Sequence, residues 1–139
     1  MERYGKEGGP PAPLAPTDLH TSASALGLLG GSFDPVHNAH LALAHSALTL
    51  LGLQRVLWLP SGMPPHRAAP VAGAAARLEM LRLALAGESR FAVDPRELAR
   101  AAPSYTVDTL LSMRRELGDA QALVLLIGSD QFTRLATWH

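Results

Sequence analysis

The chain of 139 residues contains no cysteine, carries no formal net charge and has no long apolar run. Without cysteine it forms neither disulfide bonds nor thiol-based sites, which is compatible with a reducing cytoplasm. Twelve basic residues balance twelve acidic ones, so the chain lacks the basic surface typical of a nucleic-acid-binding protein. The N-terminal region has no apolar signal-peptide core, and no apolar stretch is long enough to span a bilayer. We therefore expect a cytoplasmic protein that binds neither membranes nor nucleic-acid polymers.

The N-terminal region differs from the rest of the chain in composition. Residues 1–24 contain four prolines and three glycines and show no apolar periodicity. Such a composition predicts a flexible extension. Residues 25–139 are richer in apolar side chains and are long enough to bury a core, so they are predicted to form one domain.

Short apolar runs alternate with segments of helical character in the predicted domain. Runs with the length of β-strands occur at residues 26–29, 55–59, 91–93 and 123–127. One helix is predicted by the apolar stripe of Leu41, Ala44, Leu48 and Leu51, with Gly52 at the position of a C-terminal cap. Two further helices are predicted over residues 77–86 and 106–117. This alternation predicts an α/β fold, a doubly wound Rossmann-like parallel sheet with helices on both faces.

Each predicted strand is followed by a segment rich in Gly, Pro, His or Asp. These segments are residues 30–37, 60–67, 94–106 and 128–131. In open α/β sheets ligands bind beyond the carboxyl ends of the strands, so we expect all four segments at one rim of the sheet.

The segment after the first strand predicts a phosphate site. Gly30 and Gly31 allow a tight turn and a close backbone approach to a ligand, and the helix after Ser32 and Phe33 begins with free N–H groups.

Two histidines at the start of this helix, His37 and His40, can both donate hydrogen bonds to one anion. Alternatively they form half of a metal site, with His66 as a third ligand, or are ordinary structural histidines. The absence of cysteine disfavours a closed zinc site, and the preceding glycines disfavour a purely structural role.

Three further segments contain candidate binding residues. His66 and Arg67 end a proline-stiffened loop and form either a phosphate clamp or a solvated turn. Ser104 or Thr106 can cap the helix that follows, whose N-terminus also suits a carboxylate, whereas Tyr105 by itself is more typical of packing.

The segment after the fourth strand has a glycine followed closely by a carboxylate. Gly128 lets a nucleotide approach, and Asp130 can accept hydrogen bonds from both hydroxyls of a ribose. Trp138 by itself is more typical of a core residue than of a platform for a ring.

The run Gly-Gly-Ser-Phe-Asp-Pro-x-His-x-x-His resembles the signature of the nucleotidylyltransferase superfamily with its His-x-Gly-His motif. The later segments Pro-Pro-His-Arg and Ser-Tyr-Thr-x-x-Thr-Leu are similar to those of the bacterial nicotinate-nucleotide adenylyltransferase family. The resemblance covers residues 26–139. Ala39 stands where that family usually has glycine, and Arg67 where it usually has lysine.

The resemblance implies adenylyl transfer from ATP to nicotinate mononucleotide in NAD biosynthesis, with Mg²⁺ accompanying ATP. It implies that His37 and His40 are catalytic. The remaining roles it implies are ATP and phosphate binding by Gly30, Gly31, Ser32, Phe33, His66, Arg67, Gly128 and Asp130, and nicotinate-nucleotide binding by Ser104, Tyr105, Thr106 and Trp138, with no metal ligand among them.

Other acceptors, namely nicotinamide mononucleotide or phosphopantetheine, and an inactive nucleotide-binding fragment remain alternatives. The resembled family continues past residue 139 with at least one further strand and a phosphate-binding motif. We therefore expect these C-terminal elements to be absent, the activity of this chain to be weak, and the fourth strand to pair with another copy.

Overall fold

The computed structural model of this chain describes residues 25–62, 69–100, 103 and 105–138. The predicted flexible extension, residues 1–24, lies outside the described residues, as do the predicted site residues His66, Arg67 and Ser104.

Four parallel strands form one sheet with helices between them. The strands are β1 (Leu26–Gly31), β2 (Arg55–Pro60), β3 (Phe91–Val93) and β4 (Leu123–Leu126). The helices are α1 (Asn38–Leu51), α2 (Ala74–Leu85), α3 (Thr106–Leu117) and α4 (Ser129–Thr133), followed by a short 3₁₀ turn, Leu135–Thr137. The predicted α/β parallel sheet is confirmed.

The strands lie in the order β3-β2-β1-β4. The chain therefore runs outward from β1 to β3 and then returns to pair β4 with the opposite side of β1. A reversal of this kind leaves a crevice beyond the carboxyl ends of the two strands at the switch, which is where ligands bind in doubly wound sheets. In this chain the switch lies between β1 and β4.

Both faces of the sheet are covered. One apolar cluster joins Leu29 and Trp58 of the sheet to α1 and α2 through Leu48 and Leu81. The other joins Leu26, Leu28 and Leu57 to Met113 and Leu117 of α3. Adjacent residues of β1 thus face opposite layers, as the alternation of side chains along a strand requires.

The element boundaries are close to those predicted. Helix α1 ends at Gly52, which has a left-handed φ of 58°, and α3 has the predicted bounds. Helix α2 begins at Ala74 rather than at the predicted Arg77. Gly73 is its N-cap residue, and the residues between Gly73 and Arg77 are compatible with a helix. Within the described ranges, no helix is long and apolar enough to cross a membrane.

The prediction that Gly30 and Gly31 form a tight turn is wrong. Both belong to β1, where they pair with Leu59 and Pro60 of β2. The residue with a positive φ in this segment is Phe33, at 49°, so the chain turns after the glycines.

Candidate active site

A cavity of about 550 Å³ lies at the carboxyl ends of β1 and β4, with the start of α3 along one side. It therefore occupies the switch point of the sheet. The predicted site residues that line it are Gly30, Gly31, Ser32, Phe33, His37, His40, Tyr105, Thr106, Gly128, Asp130 and Trp138.

Phe33 sets the shape of the segment after β1. A left-handed φ is uncommon for a bulky residue, and burial of the ring holds it here, since Phe33 is only 2% exposed. Its ring centroid lies 5.1 Å from that of His40 and 5.4 Å from that of Trp58. A Cβ on Gly31 would lie 3.3 Å from this ring, so a side chain here would crowd the ring, and Gly31 contributes to ring packing rather than to a turn.

The two histidines at the start of α1 form a stacked pair. His37 precedes the helix as its N-cap residue, and the two ring centroids are 3.9 Å apart with an interplanar angle of 28°. The backbone N–H of His37 donates to Nδ1 of His40 at 3.1 Å. An accepting Nδ1 requires the neutral tautomer that carries its proton on Nε2, so His40 has Nε2–H as a donor.

The pKa of His40 is lowered below its ordinary value of 6.5, first by burial and then by the neighbouring His37. Both causes disfavour the charged form. The hydrogen bond from His37 acts in the same direction, because a protonated Nδ1 could not accept it.

Asp34 connects the segment after β1 to the start of α2. Its two carboxylate oxygens accept the backbone N–H groups of Val71 at 2.7 Å and Ala72 at 3.1 Å. This contact could not be predicted from local sequence patterns, because the partners are 37 and 38 residues apart along the chain.

Arg77 makes a second connection across the same region. It is 3% exposed, and Nη1 donates to the carbonyl oxygens of Ser32 and Ser61, both at 2.8 Å, while Nε donates to that of Ala72 at 3.1 Å. The apolar pattern of the sequence predicts Arg77 only as the first residue of a helix. The available signal is that Arg77 falls in line with Leu81 and Leu85 on the buried side of α2.

Gly62 allows the segment after β2 to approach the segment after β3. A Cβ built on Gly62 would lie 2.6 Å from the carbonyl oxygen of Glu97. Because this neighbour is backbone, only glycine fits without movement of one of the two segments.

The start of α3 differs from the capping prediction. Tyr105 is the N-cap residue and makes no side-chain hydrogen bond to the helix, while Thr106 is the first helical residue and not a cap. Tyr105 has the extended backbone conformation of a residue that precedes a helix, and a capping role of Ser104 lies outside the described residues. Tyr105 and Thr106 both line the cavity.

Side chains from the segment after β3 hold α3 in place. The hydroxyl of Thr109 donates to Glu97 and accepts from Arg100, each at 2.8 Å. Arg96 contacts the fully buried Asp94 and also Ser112 on the next turn of α3. Burial raises the pKa of Glu97 above its ordinary 4.5, partly offset by the hydrogen bond from Thr109.

The segment after β4 also borders the cavity. A Cβ on Gly128 would lie 2.8 Å from Oδ1 of Asp130, so the carboxylate folds back over the glycine. Trp138 is partly exposed and lines the cavity, and it belongs to neither apolar cluster. Over the described part of the chain, no group of three or more His, Asp or Glu side chains could hold a metal ion.

Residues 28–139 match the family model described as cytidylyltransferase-like. A probable nicotinate-nucleotide adenylyltransferase of Dechloromonas aromatica (strain RCB) is 58% identical over 114 residues, which are 82% of this chain and 52% of the relative. Another, of Serratia proteamaculans (strain 568), is 45% identical over 124 residues, which are 89% of this chain and 56% of the relative. The chain spans about half the length of these curated relatives.

Solved structures show the same fold. Plasmodium falciparum nicotinic acid mononucleotide adenylyltransferase complexed with NaAD superposes with a TM-score of 0.69 at 18% identity, covering 84% of this chain and 57% of that one. The same enzyme complexed with APC gives a TM-score of 0.67 at 17% identity, covering 84% and 56%. At these identities the similarity concerns the fold alone.

Proposed function

Because this chain belongs to the cytidylyltransferase-like family, we propose that it forms the nucleotide site of an enzyme that transfers AMP from ATP to nicotinate mononucleotide. The products are nicotinate adenine dinucleotide and pyrophosphate. The observation that carries the proposal is the stacked pair of His37 and His40 at the N-terminus of α1, lining a cavity at the switch point of the sheet. The curated relatives named for this activity support it.

The transfer needs no nucleophilic side chain. An oxygen of the mononucleotide's phosphate attacks the α-phosphorus of ATP, a new P–O bond forms, and the bond from the α-phosphorus to the bridging oxygen breaks as pyrophosphate leaves. Catalysis then consists of positioning and of stabilising charge on the transferring phosphoryl group. Nε2–H of neutral His40, the ring of His37 and the first N–H groups of α1 supply hydrogen bonds suited to that charge.

The start of α3 is suited to the acceptor. Its N-terminus carries positive dipole charge and lacks a side-chain cap from Tyr105, and Thr106 borders the cavity. We therefore assign the carboxylate of the nicotinate ring to this end of α3. Asp130, which also lines the cavity, is assigned to the ribose of ATP, and Trp138 to the nicotinate ring.

Mg²⁺ is assigned to the phosphates of ATP. Asp34 is occupied by two backbone N–H groups, and Asp130 is a single carboxylate, so the described residues offer few oxygen ligands. This fits an ion that arrives on the nucleotide, since Mg²⁺ keeps several waters and binds substrate phosphates. When bound, it offsets negative charge on the phosphates.

Pyrophosphate release with ATP and three separate acceptors tests the proposal. We expect turnover with nicotinate mononucleotide and slower turnover with nicotinamide mononucleotide, because a helix N-terminus favours the carboxylate. Phosphopantetheine should be inactive. Equal rates with the acid and the amide would remove the carboxylate assignment, and ATP binding without turnover would favour a nucleotide-binding role.

A further inference from the structure

We propose that Arg77 is a positioning residue that fixes the segment after β1 relative to the segment after β2, and thereby sets the geometry of the phosphate site. This inference rests on the proposed function. Arg77 itself does not line the cavity, whereas both of the serines that it holds do.

One nitrogen joins the two segments. Nη1 donates to the carbonyl oxygens of Ser32 and Ser61, both at 2.8 Å, although these residues lie 45 and 16 positions from Arg77 along the chain. The distance between the segments is therefore limited by a single planar guanidinium group. A planar group with fixed donor directions restricts geometry more than a flexible ammonium does.

Other contacts close this connection into a ring. Nε of Arg77 donates to the carbonyl oxygen of Ala72, whose own N–H donates to Asp34 in the segment after β1. The N–H of Ser61 also donates to the carbonyl oxygen of Gly31. The start of α2 and the ends of β1 and β2 are thus held together at several points.

Helix packing alone does not require a charged, hydrogen-bonding side chain at position 77. It occupies a buried position in line with Leu81 and Leu85, where an apolar side chain would pack without the need for polar partners. All three of its described partners are neutral carbonyl oxygens, so no acidic side chain among them offsets its charge. The fixed positive charge of Arg77, beside two cavity-lining segments, also favours a ligand that carries phosphate groups.

Three variants test the inference: Arg77→Met, Arg77→Lys and, as a control on the exposed side of the same helix, Arg82→Met. The kinetic constants are measured by pyrophosphate release, well below the melting temperature of each variant. We expect Arg77→Met to lower kcat/KM for ATP by about 10- to 100-fold, as loss of alignment does, with a change in KM for nicotinate mononucleotide of less than about twofold because α3 is untouched. Arg77→Lys should be intermediate, and Arg82→Met should match the unaltered protein.

A role in stability alone predicts a different pattern. The melting temperature would fall while the kinetic constants of the folded protein stayed unchanged, and this result would overturn the inference. A second contrary result is full activity of Arg77→Lys together with low activity of Arg77→Met. A positive charge without the planar guanidinium group would then be enough for activity. If Arg77→Met does not fold, the decision rests on Arg77→Lys, for which unchanged kcat/KM is the contrary result.

Failure of the proposed function is distinguishable from failure of this inference. If the unaltered protein releases no pyrophosphate with any acceptor, the proposed function fails. The role of Arg77 is then decided by calorimetric titration with ATP. ATP binding that is weaker by at least about tenfold in Arg77→Met supports the inference. Equal binding by the two proteins, or no binding by either, overturns the inference.

Discussion

Nδ1 of His40 accepts the backbone N–H of His37 at 3.1 Å, and the two rings stack with their centroids 3.9 Å apart. The two histidines are therefore one unit, in which the first residue fixes the tautomer of the second. Phe33 packs its ring against His40 from another direction and limits the rotation of the imidazole. A donor held in this way needs little reorganisation when charge develops on a bound phosphate.

Replacement of either histidine by alanine should lower kcat strongly. We expect a fall of about 100-fold for His37→Ala or His40→Ala, as for loss of one transition-state donor, and a smaller change in KM for ATP. The matched control is His45→Ala, also on α1, whose ring does not line the cavity and packs against Phe91; this variant should retain kcat. Near-normal turnover in either of the first two variants would exclude that histidine from the mechanism.

The protonation of His40 should appear in the pH dependence of both rate and stability. Its pKa in the folded protein lies below the 6.5 of the unfolded chain, so the unfolded state binds more protons between the two values. The stability that His40 contributes is fully present above pH 6.5 and is lost as pH falls through its folded pKa. We expect kcat to fall over the same range.

Thermal unfolding from pH 5 to pH 8 measures this effect against His40→Gln. The unaltered protein should lose stability relative to the variant as the pH is lowered. An equal pH dependence in both proteins would show that His40 does not titrate as described.

Gly62 and Gly73 form a matched pair for substitution by alanine. A Cβ on Gly62 would meet the Glu97 carbonyl oxygen at 2.6 Å, whereas one on Gly73 has nothing within 4 Å. We expect Gly62→Ala to lower the free energy of unfolding by about 1–3 kcal/mol, and Gly73→Ala to change it little. Denaturant unfolding checks both, and similar effects in the two variants would contradict the close approach.

Ionisation of Glu97 should lower the free energy of unfolding as the pH rises. Its pKa is raised above 4.5 by burial, so the folded state binds more protons than the unfolded state just above pH 4.5. Stability is therefore lost as the pH increases from 4.5 through the folded pKa, and Glu97→Gln should remove that loss. Glu79→Gln, on the exposed side of α2, should behave like the unaltered protein in unfolding experiments between pH 4 and pH 7.

The sequence predicted the sheet and the cavity well because both depend on local patterns. Alternating apolar runs determine a parallel sheet, and a parallel sheet gathers the segments after its strands at one rim. For this reason His37, Thr106 and Asp130, which are far apart in the chain, were expected together and do line one cavity. Their roles in binding and catalysis stay predictions.

The details that the sequence did not reveal depend on distant contacts. The turn was predicted at Gly30 and Gly31 because glycine permits it, but burial of the Phe33 ring moves it two residues further on. The alignment of Arg77 with Leu81 and Leu85 indicates a buried position, but it does not indicate the partners of Arg77, whose carbonyl groups lie 45 and 16 residues away. Local propensity contains no information about either contact.

The strand order also affects how the chain is synthesised. β1 is made first but pairs on one side with β4, so Leu26 has no partner there until Leu123 has been added. At roughly 5–20 residues per second this delay lasts several seconds on the ribosome. During that time the edge of β1 that later pairs with β4 presents unpaired backbone N–H and C=O groups, to which a strand of another chain can pair.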